Sequence, residues 1–199
     1  GADGVVIGLL NADGTVDRDR TAELIALARP MDVTFHRAFD MTRDPYRALD
    51  DLMDLGCDRV LTSGQQPSAP AGGELLAALV EQAAGRIVVM PGAGIDAGNI
   101  GDLIRRTGAS EYRLHRATPA PSRMAYRNPA VFMGTDADLD EYATPVTDAA
   151  AIRAVCEAAE RAVQVHGAQG LVRGSTVERL FREARALRLR EGTTEIVRL

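Results

Sequence analysis

The feature that most constrains this chain is an alternation of short apolar runs with amphipathic segments over residues 1–115. The apolar runs are rich in β-branched residues and recur roughly every 25 residues, and helical spacing follows each of the first four. This alternation predicts parallel βαβ units. The predicted strands are 4–10, 31–35, 59–62, 86–90 and 111–115, and the predicted helices are 18–28, 45–55, 74–84 and 97–108.

Turn and cap residues mark where the predicted helices begin and end. Asp17 and Asp44 are placed as N-caps, Pro45 occupies a first helical position, and Gly56 follows the last turn of its helix. The runs are apolar throughout, which suits either a doubly wound sheet or the wall of a (β/α)8 barrel. Ligands gather at the carboxyl ends of the strands in both architectures. Residues 117–147 are rich in Pro, Thr and Asp and predict a long excursion over that end.

Polar residues cluster where the predicted strands end. His36 and Arg37 follow the second strand, with Asp40 close behind, and His115 ends the fifth strand. Such groups are costly to bury without partners, so their repetition at strand ends favours a functional site. We assign the catalytic candidates His36, Arg37, Asp40 and His115 to it, because imidazole can transfer a proton and guanidinium can bind a carboxylate or phosphate.

A glycine-rich turn follows the fourth predicted strand. Its Gly92 and Gly94 precede a helix start near Asn99, so backbone N–H groups and the helix dipole favour an anion there. Glycines also make plain tight turns, so this signal alone is weak. Together with the arginines, the turn predicts a small anionic ligand, in an enzyme that acts on an anionic or phosphorylated substrate.

Composition excludes several function classes. The formal net charge is -5 and the pI about 5.3, which gives no electrostatic reason to bind nucleic acid or an anionic membrane. No apolar run approaches the ~18 residues of a membrane span. The chain has no lysine, so it cannot form a lysine Schiff base. Two distant cysteines, Cys57 and Cys156, predict free thiols in a reducing, cytoplasmic compartment.

Several motifs in register resemble one family. "GADGVVIGLLNADGTVD", "VTFHRAFD", "RVLTSG", "VVMPGAGI" and "MAYRNP" are similar, in order and spacing, to segments of the copper homeostasis protein CutC family over residues 1–162. The resemblance implies a (β/α)8 TIM-barrel fold, a cytoplasmic protein and a link to copper, without an established reaction. The match begins in the family's fourth βα unit, so about five of eight units are expected. A partial barrel, a homo-oligomer that covers its edges, or a fragment of a longer product would each fit.

The resemblance also assigns residues. His36, Arg37 and Asp40 match the family's "TFHRAFD" segment, and His115 matches the histidine of its last strand. Arg116 and Ala117 follow where the family has a small residue and Ser. By the resemblance, the ligand- or cofactor-binding positions are Ser63, Gly64, Gly92, Gly94 and Asn99.

Copper binding competes with the enzyme interpretation of this site. Cu(I) prefers sulfur ligands, and the sequence contains no C-x-x-C or M-x-x-M spacing. Cys57 is predicted at the opposite end of the strands. Copper therefore enters as an implication of the family resemblance, and the sequence assigns no metal ligands.

The C-terminal segment has a different character. From Gln164, "QVHGAQGLVRGSTVERLFREARALRLREGTTEIVRL" resembles the end of acyl-CoA dehydrogenases, so we divide the chain into 1–162 and a helical tail at 163–199. In that family a Glu placed like Glu191 is the catalytic base. The domains that hold FAD and acyl-CoA lie outside this resemblance, so we expect a solvated Glu191 and no FAD on this chain alone. An inactive fusion fragment and a piece of a flavin-dependent dehydrogenase remain the alternative interpretations.

Overall fold

The computed structural model describes residues 1–128, 130–131, 140 and 142–165. The predicted tail at 163–199 therefore lies almost entirely outside the described residues. Six strands and five α-helices are described, with a short 3-10 helix at Arg37–Met41. In chain order they are β1 (Gly4–Ile7), α1 (Arg18–Ala28), β2 (Asp32–Phe35), α2 (Pro45–Leu55), β3 (Arg59–Thr62), α3 (Gly73–Ala83), β4 (Val88–Pro91), α4 (Ile100–Thr107), β5 (Ala117–Pro121), β6 (Ala143–Thr147) and α5 (Ala149–Val165).

The first four strands form one parallel sheet in sequential order, β1-β2-β3-β4. The register pairs Val6 with Thr34, and Leu61 with Met90. Each helix from α1 to α5 packs against the next one along the chain. Right-handed crossovers between sequential strands place all helices on one side of the sheet. This is the winding of a (β/α) barrel, and it decides against the doubly wound alternative.

The predicted helix caps are confirmed. The Asp17 carboxylate accepts from the backbone N–H of Arg20, and Asp44 accepts from the N–H groups of Tyr46 and Arg47. Gly56 takes a left-handed conformation after α2, with φ of 80°. The two N-caps start α1 and α2 at the end of the sheet where β1 and β2 finish, and Gly56 ends α2 at the end where β3 begins. The polar residues after the strands therefore lie at the same end of the sheet as the helix N-termini.

The fifth predicted strand, 111–115, is reduced to a single parallel bridge. Gly92 pairs with Arg113, whose N–H donates to the carbonyl of Pro91 at 2.9 Å. After β4 the chain turns away from the segment around Arg113, because Ala93 and Gly94 have φ of 78° and 70°. The ladder therefore stops before it reaches His115.

The two ends of the predicted excursion, 117–121 and 143–147, are strands rather than loop. β5 and β6 pair antiparallel, from Ala117 opposite Thr147 to Pro121 opposite Ala143. Most side chains of this ribbon are exposed, and prolines occupy both strands. A two-stranded ribbon tolerates proline at its edges and needs no apolar alternation, which is why the composition suggested a loop.

The two faces of the sheet have different chemistry. One face packs against the helices in a core that includes Val33, Phe35, Val60, Val89 and Tyr112. Successive strand residues point to opposite faces, so the residues between them line the other face.

That second face carries buried charge. Arg59 bonds to Glu111 and to Asp32 at 2.7 Å each. Desolvation opposes the charge of Arg59, but hydrogen bonds and Coulombic attraction from the two carboxylates outweigh it and raise the pKa of the guanidinium. Ion-paired residues thus occupy the amino end of this face, at the opposite end of the strands from His36 and His115.

Candidate functional site

A partly open cavity of about 480 Å³ lies where β2, β3, β4 and the segment around Arg113 end. It brings together three of the four predicted catalytic residues, His36, Arg37 and His115, with Gly94 of the glycine-rich turn. Its described lining is His36, Arg37, Leu61, Ala93, Gly94, Ile95, Arg113, His115 and Arg116. The convergence of the strand ends was predicted from the sequence, and the cavity lies at that end.

His36 packs against the end of β1. A Cβ built on Gly8 would lie 2.1 Å from the His36 Cε1, so only glycine leaves room for the ring. The N–H of Ala38 donates to Nδ1 of His36 at 3.0 Å. An acceptor nitrogen carries no proton in the neutral ring, so the proton lies on Nε2. His36 is therefore set up to donate a hydrogen bond from Nε2.

Arg37 is held by the residues behind it. Its Nε donates to Oδ2 of Asp40 at 2.6 Å, and its Nη2 donates to the hydroxyl of Ser63 at 2.7 Å. The guanidinium is still 44% exposed, so it reaches the cavity while two of its donors are fixed. The predicted residue Ser63 thus contacts Arg37 and lies behind the described cavity lining.

Asp40 is placed differently from its prediction as a catalytic group. Its side chain is only 8% exposed and does not line the cavity. It accepts from the Thr62 hydroxyl at 2.5 Å, from the Ser63 N–H at 3.0 Å and from the Gln65 N–H at 3.2 Å. These bonds tie the 3-10 helix to the end of β3, so in the geometry Asp40 orients Arg37.

Gly64 does not reach the cavity lining. It has φ of 72°, and a Cβ at this position would lie 2.5 Å from the carbonyl oxygen of Gly72. The close approach lets the loop after β3 fold back onto the start of α3. The geometry accounts for glycine here by backbone packing.

Hydrogen bonds within the glycine-rich turn and to the end of β3 hold the turn in place. The Gly92 N–H donates to the carbonyl of Thr62 at 2.9 Å, and a Cβ there would lie 2.6 Å from Leu61 Cδ1. The Asn99 side chain donates to the carbonyl of Gly94 at 2.9 Å and accepts from the N–H of Asp96 at 3.0 Å. Gly94 lines the cavity, whereas Gly92 and Asn99 lie behind it.

The amides before α4 are already occupied. One carboxylate oxygen of Asp96 accepts from the N–H groups of Gly98 and Asn99 at 2.9 and 3.1 Å. Its other oxygen lies 3.2 Å from Nη2 of Arg116. The anion expected at this helix start is therefore supplied by the chain itself.

Arg113 is a charged lining residue that the sequence interpretation missed. Tyr112 and Leu114 are buried in the core, so Arg113 points to the same side as His115. The alternation within "EYRLH" would have found it, because positions two apart on an extended segment share a face. Among the residues that the structure describes, Arg113 has no carboxylate partner.

Comparison with known proteins places the chain. The family model described as the CutC family matches residues 1–118. A CutC family protein from Chromobacterium violaceum is 52% identical over 162 residues, which cover 81% of this chain and 65% of that protein. This chain belongs to the CutC family.

Comparisons with two further CutC proteins agree with this family membership. The human copper homeostasis protein cutC homolog is 46% identical over 153 residues, covering 77% of this chain and 56% of that protein. The crystal structure of CutC from Streptococcus agalactiae matches with a TM-score of 0.53 at 29% identity, covering 55% of this chain and 54% of that one. This likeness and the sequential strand order confirm the TIM-barrel-like α/β fold. The CutC chain spans 56–65% of the length of the two relatives.

The C-terminal part of this CutC chain matches a second family model. Residues 122–199 match the model described as acyl-CoA dehydrogenase, C-terminal domain. The resemblance seen in the sequence from Gln164 is thus confirmed, and the match starts earlier in the chain.

Cu(I) is poorly matched by the described residues of this CutC chain. They include no group of three or more His, Cys, Asp or Glu residues arranged to hold a metal. The cavity lining offers two imidazoles and no sulfur. Cys57 is buried at the other end of the strands, and burial raises its thiol pKa to about 11, so it is a poor source of thiolate.

Within the described part of the chain, none of the helices combines the length and apolarity needed to cross a bilayer.

Proposed function

We propose that the cavity at the strand ends binds a small organic anion. The observation that carries this proposal is the charge of the lining. Three guanidinium groups and two imidazoles line the cavity, and no carboxylate does so among its described lining residues. The chain as a whole carries a formal net charge of -5, so this lining runs against the overall balance. A cationic cavity in an acidic protein concentrates anions.

The cavity supplies N–H donors that suit an anionic oxygen. Arg113 and Arg37 can form charge-assisted hydrogen bonds with a carboxylate or phosphate. His36 adds an N–H donor through Nε2, which can stabilise negative charge that develops on a ligand oxygen. Since the chain has no lysine, the enzyme version of the proposal proceeds without a lysine Schiff base.

Anion titration tests the proposal. Isothermal calorimetry with benzoate, phosphate and sulfate on the whole chain should detect binding of at least one anion, and Arg113→Ala should weaken it roughly 10- to 100-fold. The control is Arg153→Ala, because Arg153 is exposed on α5 and has the same charge. Wild-type protein that binds none of the three anions, or an Arg113→Ala variant with unchanged affinity, would refute the proposal.

Copper handling is the second proposal, and the name of the human relative supports it. The donor set of the cavity argues against a Cu(I) site there, so any such site would depend on the imidazoles of His36 and His115. Cu(I) titration against a thiol competitor, with the double variant His36→Ala/His115→Ala, tests this. Copper affinity that survives loss of both imidazoles would end the proposal for this cavity.

We further propose a homo-oligomer in a reducing, cytoplasmic compartment. In the described residues β1 has a strand neighbour on one side only, and Val6 is 54% exposed. An edge of this kind can pair with a second copy, and both cysteines are thiols rather than a disulfide. Light scattering coupled to size exclusion should give a mass above one chain. A monomer at every concentration would contradict the oligomer.

The tail at 163–199 is proposed to be a helical segment without a flavin site. Glu191 lies outside the described residues, and its resemblance to a catalytic base rests on the sequence alone. We expect purified protein to show no flavin absorbance and no acyl-CoA dehydrogenase activity after incubation with FAD. Bound flavin that survives gel filtration would overturn this.

A further inference from the structure

Asp96 occupies an unusual place beside the cavity. Its carboxylate accepts from the N–H groups of Gly98 and Asn99 at 2.9 and 3.1 Å, and it lies 3.2 Å from Arg116. Its own backbone N–H donates to the Asn99 side chain at 3.0 Å, so the turn holds it from both ends. Asp96 therefore fills the position at which an external anion would meet both the amides and Arg116.

Carboxylate partners neutralise some of the three arginines that line the cavity, and this determines how much positive charge a ligand meets. Arg37 is paired with Asp40 at 2.6 Å, and Arg116 is paired with Asp96. Arg113 has no such carboxylate among the described residues. One guanidinium is left without a carboxylate partner among the described residues, and a second negative charge on a ligand would meet no second unpaired guanidinium in the described lining. Charge placed in a partly buried site without a partner is costly.

Beside the arginines and the imidazoles of His36 and His115, the described lining has three apolar side chains. Leu61 and Ile95 are buried, and Ala93 lies between the glycines of the turn. These side chains can cover hydrocarbon and offer no hydrogen bond to a second polar group. An apolar body attached to a single anionic head is the ligand shape that matches both parts of the cavity.

We propose that Asp96 is a specificity residue that restricts this cavity to ligands with one negative charge, the class of small monocarboxylates with an apolar body. The proposal rests on the proposed function and narrows it, because it separates carboxylates from doubly charged phosphates and sulfate. Arg113 binds the carboxylate, His36 donates from Nε2, and Asp96 keeps Arg116 from recruiting a second anion.

Calorimetry with two probes tests the proposal on the whole chain. Benzoate represents the monocarboxylates, and inorganic sulfate represents a dianion that keeps its charge across the working pH range. Wild-type protein should bind benzoate at least 10-fold more tightly than sulfate. Asp96→Asn keeps an oxygen that can accept from Gly98 and Asn99 but removes the negative charge, so it should strengthen sulfate binding about 10-fold or more and change benzoate binding less than 3-fold.

A second variant shows whether Asp96 acts through Arg116. Adding Arg116→Gln to Asp96→Asn should remove the gain in sulfate affinity, because the released cation is then absent. The control is Asp102→Asn, which changes an exposed carboxylate on α4 that pairs with the surface residues Arg105 and Arg106. This control should leave both affinities unchanged, and thermal melts should show that every variant is folded.

The outcomes distinguish the specificity role of Asp96 from the proposal that the cavity binds an anion. Wild-type protein that binds neither probe nor phosphate refutes the anion site and the specificity role with it. Wild-type protein that binds sulfate as tightly as benzoate, or an Asp96→Asn variant with unchanged preference, refutes only the specificity role. A gain in sulfate affinity that persists in the double variant shows that Asp96 does not act through Arg116 and also overturns it.

Discussion

The Nε of Arg37 lies 2.6 Å from Oδ2 of Asp40, three residues further along the same 3-10 helix. The carboxylate also accepts hydrogen bonds from the backbone N–H groups of Ser63 and Gln65, so the pair joins the 3-10 helix after β2 to the loop after β3. A guanidinium held in this way can stay partly exposed without losing its orientation. In this geometry Asp40 orients Arg37 from behind the described cavity lining, and its predicted catalytic role stays a prediction.

Removing the Asp40 carboxylate should destabilise the protein strongly. Asp40→Ala leaves donors of Arg37, Thr62 and Ser63 without their acceptor, so we expect the free energy of unfolding to fall by about 2–4 kcal/mol. Urea denaturation followed by circular dichroism measures this.

A matched control comes from α2. Asp54→Ala removes a carboxylate that is 65% exposed and lies 3.7 Å from Arg18, so its effect should stay within about 0.5 kcal/mol. Equal losses in the two variants would mean that the buried hydrogen bonds of Asp40 contribute little.

Gly8 should be required for the position of His36. Gly8→Ala places a Cβ 2.1 Å from the imidazole, so the ring must move, and we expect a loss of about 1–3 kcal/mol together with a shifted His36 ring signal in NMR spectra. Gly4→Ala at the start of β1 is the comparator, because its Cβ would lie 3.1 Å from the carbonyl oxygen of Asp32. A His36 signal that moves no more in Gly8→Ala than in Gly4→Ala would contradict the packing argument.

The local patterns predicted much of the fold. Asp17, Asp44 and Gly56 are cap residues with short-range causes, and the structure confirms their positions. The meeting of His36 and His115 at one cavity was also predictable, because parallel strands end at one edge. These inferences needed only spacing and residue type.

Other features depend on partners that are distant in sequence. Asp96 pairs with Arg116, twenty residues later in the chain, so the pattern "PGAGI" predicted an anion site without the carboxylate that fills it. The fifth predicted strand is reduced to one bridge because Ala93 takes φ of 78°. An alanine in a sequence gives no indication of such a left-handed conformation. Tertiary context decided both cases.

Stability should fall at high pH because of Cys57. Burial raises its thiol pKa from 9.0 to about 11, so the folded protein keeps the proton where the unfolded chain loses it. The stabilisation is fully present below pH 9 and is lost as the pH rises through about 11, a change of roughly 2–3 kcal/mol.

Comparison with Cys57→Ala isolates this contribution. Tyr112, whose pKa burial also raises, titrates in both proteins, so the difference between wild type and variant reports the thiol. Urea unfolding at several pH values between about 8 and 11 measures the difference. A constant difference across that range would show that Cys57 ionises alike in the folded and unfolded states.

The two thiols should react at very different rates in the folded protein. Cys57 is 4% exposed and has a raised thiol pKa, whereas Cys156 is half-buried on α5. Thiolate is the reactive form, so Ellman's reagent should modify Cys156 first and reach Cys57 only after unfolding in urea. Cys156→Ala should therefore show no fast phase. In denaturant this variant should show one reactive thiol, that of Cys57. A fast phase that remains in Cys156→Ala would place Cys57 within reach of the reagent and contradict its burial in the core.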